Sequence, residues 1–272
     1  MYSRPLILFP TSGDPDPRNL PDWLHWVDSC SSTNTWATAH ADRLPHGAVV
    51  FTRHQTAGRG QHGRTWHSPT GVLTVSFILD FPIAQLSGLS LVIGLAVIHA
   101  IEDLLADQRG KLRLKWSNDV LIAGRKAAGI LCEASGSRSG QTRVIVGIGI
   151  NRCVDFVQAG LAPDQVGNAI SLHEISNVVP EELALLERSR HYLMQVRDII
   201  VQKCDSTQFS GIVPLFPELH QRDGLRDRSV TIDLNGELIS GQAMGFDDQG
   251  RLLVRSLNGV TRAFTSGRII QY

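Results

Sequence analysis

Apolar residues recur along this chain in two rhythms, and the switches between them mark its elements. Runs that are β-branched, or that alternate apolar with polar residues, occupy 23–27, 48–52, 72–79, 112–122, 126–133 and 144–151. Turn residues separate them, which predicts strands. The 112–122 run breaks at Ser117-Asn118-Asp119, a turn, and its alternation puts Arg113 and Lys115 on one face. A tight turn at Gly124-Arg125 and a Ser/Gly-rich loop after Glu133 join the later runs as antiparallel hairpins. Helical spacing appears at 35–44, 85–107, 181–203 and 209–221. The first helix opens behind Ser31-Ser32-Thr33-Asn34, whose hydroxyls and free N–H groups make either plain caps or a second polar pocket. The second is apolar on nearly every face, so it must be buried on more than one side.

Past Gly224 the pattern becomes short strands at 229–234, 237–244, 251–256 and 260–265, separated by Asn235-Gly236, residues 247–250 and Asn258-Gly259. Before residue 22, Pro5, Pro10, Pro15 and Pro17 predict an extended arm. The expected organisation is an arm at 1–21, an α+β domain at 22–224 and a small SH3-like β-barrel at 225–272. The α+β domain has a mixed or antiparallel sheet with helices on one face.

Between the second and third strands lies Gly58-Arg59-Gly60-Gln61-His62-Gly63-Arg64-Thr65-Trp66. Its glycines match the dinucleotide-binding spacing, but a strand follows where that motif needs a helix. What remains is a long glycine-rich loop carrying Arg59 and Arg64. Glycine lets backbone N–H groups approach a ligand, and arginine offers a planar fork for carboxylate or phosphate, so the loop reads as an anion-capture segment rather than a solvated turn. With little to bury, it should be mobile until an anion orders it. Gly129, Gly147 and Gly149 strip side chains from strand interiors, which marks either a β-bulge or a place where a flat ligand lies on the sheet.

Composition narrows the class. The 272 residues are 42% hydrophobic and carry 26 basic and 26 acidic side chains. Zero formal net charge disfavours a broad nucleic-acid surface. The longest apolar stretch, 89–101, falls short of the roughly 18 residues of a membrane span, and no signal sequence is evident, so a cytoplasmic location is the default. Cys30, Cys132, Cys153 and Cys204 form no C-x-x-C pair; they predict reduced core residues and no protein-held metal.

Five motifs then fall in one order: Ser32-Thr33-Asn34, Gln55-Thr56-Ala57-Gly58-Arg59-Gly60, Lys115-Trp116-Ser117-Asn118-Asp119, Lys126-Ala127-Ala128-Gly129-Ile130-Leu131 and Gly147-Ile148-Gly149-Ile150-Asn151. Together they resemble the landmarks of biotin protein ligases, over about residues 22–272 including the C-terminal module. The resemblance implies that biotin and MgATP form biotinyl-5′-adenylate and pyrophosphate. The acyl group then passes to a lysine of a biotin carboxyl carrier protein or domain of acetyl-CoA carboxylase or a related carboxylase. It implies that Lys115 holds the biotin carboxylate against the α-phosphate and, with Arg59, carries catalysis. It places Ser32, Thr33, Asn34, Gln55, Arg59, Gly60, Gln61, Lys115 and Gly129 around biotin. Arg64, Trp66, Asn118, Lys126 and Asn151 go to the adenylate, with Gly129 also shaping that side. Trp66 stacks on the nucleotide or belongs to the core.

Two positions depart from the family pattern. Gln61 stands where arginine is common, leaving one fewer fixed positive charge over the adenylate, and Ser117 stands where proline is common. The arm is too short for the DNA-binding domain of bifunctional members, so neither DNA nor a membrane is expected as a partner, and the protein is expected as a monomer or homodimer. A lipoate or octanoyl transferase and a nucleic-acid-binding module are the rival readings; the R-G-R loop and the C-terminal module disfavour the first, balanced charge the second.

Overall fold

A computed structural model describes residues 20–82, 86–138, 140–202 and 212–272. Most of the arm, residues 209–211 of the fourth expected helix, and Cys204 lie outside the described residues.

The strands assemble as the apolar runs require. β1 (Leu24–Trp26), β2 (Val49–Thr52), β3 (Val72–Pro82), β4 (Arg113–Lys115), β5 (Asp119–Ile122), β6 (Arg125–Arg138) and β7 (Gln141–Asn151) form one sheet in the order β1-β2-β3-β7-β6-β5-β4. β1 runs parallel to β2 and the other neighbours pair antiparallel, so the sheet is mixed. The β6–β7 hairpin extends beyond the predicted runs at its turn end, where its residues become more polar.

Strand alternation splits the sheet into two faces. Phe51, Leu73, Val75, Phe77, Ile130, Ile148 and Ile150 belong to the main core, packed with α2 (Leu89–Leu104) and α5 (Glu182–Gln202). Burying each such side chain is worth about 1.5–3 kcal/mol, so this layer anchors the fold. The two long helices therefore share a face, as expected. α1 (Thr33–Ala39) covers part of the other, with Ala37 against Val50, Ile78 and Ile145. The rest of that second face holds the glycines and the polar cluster described below.

Element ends differ from the expected ones for local reasons. α1 starts two residues early because Ser32 is already its extended N-cap residue, at φ −156°, and it ends at Ala39, beyond which the chain turns ahead of Pro45. α2 starts at Leu89, because Gly88 sits at φ +69°, in the left-handed region; position 85, its expected start, lies outside the described residues. Two short helices, α3 (Pro163–Asn168) and α4 (Leu172–Ile175), have no counterpart among the expected elements. The second carried a readable signal, the capping box in which Ser171 N–H donates to Glu174 Oε1 at 2.8 Å. α6 (Phe216–Arg222) ends the helical part, and its Arg222 makes a buried bidentate pair with Glu102 of α2 at 2.6 and 2.7 Å.

The C-terminal segment forms a five-stranded antiparallel sheet, β11-β10-β9-β8-β12, from β8 (Ser229–Leu234), β9 (Glu237–Phe246), β10 (Leu252–Arg255), β11 (Thr261–Phe264) and β12 (Arg268–Gln271). The fifth strand adds to the four expected. It is short, and its apolar residues, Ile269 and Ile270, are adjacent rather than alternating.

Among the described residues no helix is long and apolar enough to cross a membrane. Cys30, Cys132 and Cys153 are free thiols, but they are partly buried rather than core residues as expected; burial pushes the Cys132 thiol up to about 12.

Candidate active site

The glycine loop folds back on itself. Arg59 and Thr65 form an antiparallel bridge, Gly60 N–H donates to Arg64 O at 2.7 Å, and Trp66 N–H donates to Gly58 O at 2.9 Å. Gly58 cannot carry a side chain here, since a Cβ would lie 2.4 Å from Trp66 O. A single turn at Gln61–Gly63 forms the tip, with His62 left-handed at φ 56°.

This closed loop drops Trp66 onto the open face of the sheet. Gly129 of β6 and Gly149 of β7 stand opposite each other in register, so no bulge accounts for Gly149; β6 has an irregularity against β5 at 126–128, just before Gly129. A Cβ on Gly149 would come within 2.3 Å of the Trp66 ring, and one on Gly129 within 3.1 Å. The flat group lying on the sheet is thus the chain's own indole, whose Nε1–H is buried without a hydrogen-bond partner among the described residues. Lys126 Nζ stands 5.2 Å from the ring centroid and 2.5 Å from Asp119 Oδ1. Gly147 makes room for Asn34 instead: a Cβ there would lie 2.4 Å from Asn34 Oδ1.

Behind the loop lies a cleft of about 110 Å3. Twelve of the fourteen residues expected at the site line it: Ser32, Thr33, Asn34, Gln55, Arg59, Gly60, Gln61, Arg64, Trp66, Asn118, Lys126 and Gly129. Ser32, Thr33 and Asn34, at the start of α1, form a buried polar wall rather than a set of caps, since the Ser32 side chain makes no capping bond. Thr33 N–H donates to Gln55 Oε1 at 2.9 Å. Ser76 Oγ lies 2.8 Å from Thr33 Oγ1 and donates to Asn34 Oδ1 at 2.6 Å. Asn34 Nδ2 donates to Leu131 O at 3.2 Å and to Glu133 Oε2 at 2.8 Å. The Asn34 amide is therefore consumed in building the wall.

Lys115 and Asn151 do not line the cleft. Asn151 is buried and donates to Lys126 O at 3.0 Å, fixing the start of β6 from behind. Lys115 points to the C-terminal sheet, its Nζ 4.2 Å from the centroid of the Tyr272 ring. Burial depresses the Lys115 ammonium below the usual lysine range; Lys126, Arg64 and Arg268 push the same way, and Asp119 opposes them.

Sequence reasoning missed Glu133. Its carboxylate receives Arg59 Nη2 at 2.6 Å as well as Asn34, so it neutralises one of the loop's two cations. The position follows the Gly129-Ile130-Leu131 motif by two residues on the same face, and that alternation was the available signal. A wider cavity of about 670 Å3 opens beside the cleft, where Arg59, Gln61 and Arg64 face the start of α2, Glu133, and Gln249–Arg251 of the C-terminal sheet. A narrow polar slot leading into a roomy, cation-rimmed cavity suits a ligand with a compact head, an anionic middle and a larger second group.

The chain matches the model of the "Biotin/lipoate A/B protein ligase family" over residues 26–151 and that of the "Biotin protein ligase C terminal domain" over residues 227–271. It is 30% identical to the bifunctional ligase/repressor BirA of Escherichia coli over 241 residues, covering 88% of this chain and 70% of that one. It is 31% identical to the biotin–[acetyl-CoA-carboxylase] ligase of Mycobacterium tuberculosis over 230 residues, covering 82% and 79%. The biotin protein ligase of Aquifex aeolicus, solved in complex with biotin and ATP, superposes with a TM-score of 0.69 at 26% identity over 90% of this chain and 97% of that one.

Proposed function

Starting from a chain that belongs to the biotin protein ligase family, we propose that it joins biotin to ATP as biotinyl-5′-adenylate and then biotinylates one lysine of a carboxylase carrier domain. In the first step a biotin carboxylate oxygen attacks the α-phosphorus, and the bond to the bridging oxygen breaks to release pyrophosphate. In the second, the carrier amine attacks the acyl carbon and AMP leaves.

The observation that carries this reading is the placement of Arg59 and Arg64 where the polar slot meets the wider cavity, with Lys126 on the wall of the slot itself. Two anions must be brought together there, so positioned cations and excluded water supply most of the catalysis. Ser32, Thr33 and Gln55 face the ureido ring, with Asn34 holding that wall rigid. Gly60, Gln61 and Gly129 let the loop and sheet close on the ring system and its chain. Arg59 leaves Glu133 for the anion, and Arg64 and Lys126 bind the phosphate side. Trp66 swings from the sheet to stack on the base, with Asn118 shaping the wall; Asn118 Nδ2 donates to Ile130 O at 2.7 Å. Asn151 acts through Lys126. Lys115 reaches the carboxylate from the C-terminal side.

Among the described residues no three His, Cys, Asp or Glu side chains converge as a metal site, so we assign Mg2+ to the MgATP substrate, held on its phosphates. The chain divides near residue 224 into a catalytic domain and a C-terminal module, a reading supported by two separate sheets and by the C-terminal match beginning at 227.

Pyrophosphate release from ATP in the presence of biotin, lipoate or neither tests the activity. Labelled biotin offered with a purified carrier domain tests the transfer. Biotin alone should stimulate release, and the label should appear on one carrier lysine; stimulation by lipoate instead would reverse the assignment.

A further inference from the structure

Lys115 of β4 and Tyr272, the residue after β12, are 157 positions apart, yet the Lys115 ammonium lies 4.2 Å from the Tyr272 ring centroid. That distance is well inside the roughly 6 Å at which a cation is attracted to an aromatic face. The ring is itself fixed, because Tyr272 Oη donates to Gly124 O at 3.0 Å. Gly124 is in the tight turn between β5 and β6, one residue before the strand that carries Lys126 and Gly129. At the other end, β12 is held to β8 through Gln271 and Thr231. Tyr272 therefore spans from the C-terminal sheet to the catalytic sheet, and Lys115 rests against its face.

From this geometry we propose that Tyr272 is a positioning residue for Lys115: its ring holds the ammonium charged and aimed while Lys115 is out of contact with the biotin carboxylate. The proposal rests on the role given to Lys115 above. The need for such a device follows from the surroundings. Lys115 is largely withdrawn from water, and Lys126, Arg64 and Arg268 oppose its charge. Among the described residues the carboxylate that favours it is Asp119, which already has Lys126 Nζ at 2.5 Å. An aromatic face supplies negative potential without a formal charge, so it supports the ammonium without competing as strongly as a carboxylate would for a developing anion site. Arg228, 5.9 Å from the same ring, adds a second cation at the same aromatic group.

The test is a series at position 272 in the full-length protein, read as biotin-dependent pyrophosphate release. Tyr272→Phe keeps the ring and loses the bond to Gly124, and should retain most of the rate. Tyr272→Leu removes the aromatic face and should lower kcat about tenfold with KM for biotin changed less than threefold, and thermal unfolding checks that the variant folds. Introducing difluoro- and then trifluorophenylalanine in place of Tyr272, with the phenylalanine variant as the reference, weakens the ring's negative face at nearly constant size. Stepwise loss of rate across that series should follow even if the leucine variant does not fold. In a Lys115→Ala background, Tyr272→Leu should cost less than twofold, because the ring acts through the lysine. The pH dependence of Lys115 labelling by an amine-reactive reagent, read by peptide mass spectrometry, should shift to lower pH when the ring is removed. Equal rates across the fluorinated series, or an undiminished cost of Tyr272→Leu in the Lys115→Ala background, would overturn the inference. Absence of biotin-dependent pyrophosphate release from the unmodified protein would instead overturn the ligase reading itself.

Discussion

Ser117 and Gln61 hold each other: the Ser117 hydroxyl donates to Gln61 Oε1 at 3.0 Å, tying the turn between β4 and β5 to the tip of the glycine loop. These are the two positions at which the resemblance to biotin protein ligases expects a different residue. In place of a charge over the adenylate, the loop has a neutral tether to the turn next to Lys115. Removing one neutral hydrogen bond costs about 1 kcal/mol, a factor of about five. Ser117→Ala should therefore release labelled adenylate about fivefold faster in the absence of carrier. Gln61→Arg, which restores a charge-assisted contact, should release it more slowly than the unmodified protein. Rapid gel filtration of the labelled complex measures both; unchanged rates in both variants would mean that position 61 does not touch the adenylate.

Lys115→Ala should lower the rate of adenylate formation by about 10²-fold or more, the usual cost of losing one electrostatic donor at a reacting centre. The measurement is single-turnover formation of adenylate from biotin and ATP, with thermal unfolding as the control for folding. A near-normal rate would remove Lys115 from the reaction.

Gly149→Ala should expel Trp66 from the sheet, because the added methyl would stand 2.3 Å from the indole. We expect a loss of about 1–3 kcal/mol in chemical denaturation, typical of overpacking. A red shift of tryptophan emission should accompany it as the ring moves toward water. An unshifted spectrum at full stability would show that the sheet can yield instead.

Trypsin should cut after Arg59 or Arg64 in the free protein, and biotin with ATP should suppress that cleavage strongly. Among the described residues the Arg59 side chain, at a partly exposed site, pairs with Glu133, and Arg64 Nε donates to Gln61 O at 3.1 Å within its own loop. An anion that binds both cations adds contacts across the loop that the free protein lacks. Equal cutting with and without ligands would reject ligand-driven ordering.

Asp223, at the junction between α6 and the C-terminal sheet, should make stability fall with rising pH. Burial pushes its carboxyl up to about 6, against partial relief from the backbone N–H groups of Leu225 and Arg226, from Arg226 and from His220. Its Oδ2 is buried without a partner. With the folded value above the unfolded one, the folded state binds the proton more tightly, so this group's contribution is fully present below about pH 4 and is lost as pH rises through 6. Asp223→Asn should remove that loss. Its melting temperature relative to the unmodified protein should rise between pH 4 and pH 7, and a pH-independent difference would count against a raised Asp223.

The sequence alone determined the strands, the long helices and the second antiparallel sheet, and it named most of the residues that come to line one cleft. These are local properties: apolar period, turn chemistry and motif spacing need no knowledge of distant residues. It also identified Gly129, Gly147 and Gly149 as places where something lies close to the sheet. What lies there was a tertiary decision. Trp66 arrives because the loop closes through Arg59 and Thr65, and Asn34 arrives because α1 docks on the second face. Glu133 joins Arg59 across 74 positions, and Tyr272 meets Lys115 across 157. Pairings of that range depend on how the sheets stack, and no spacing along the chain encodes them.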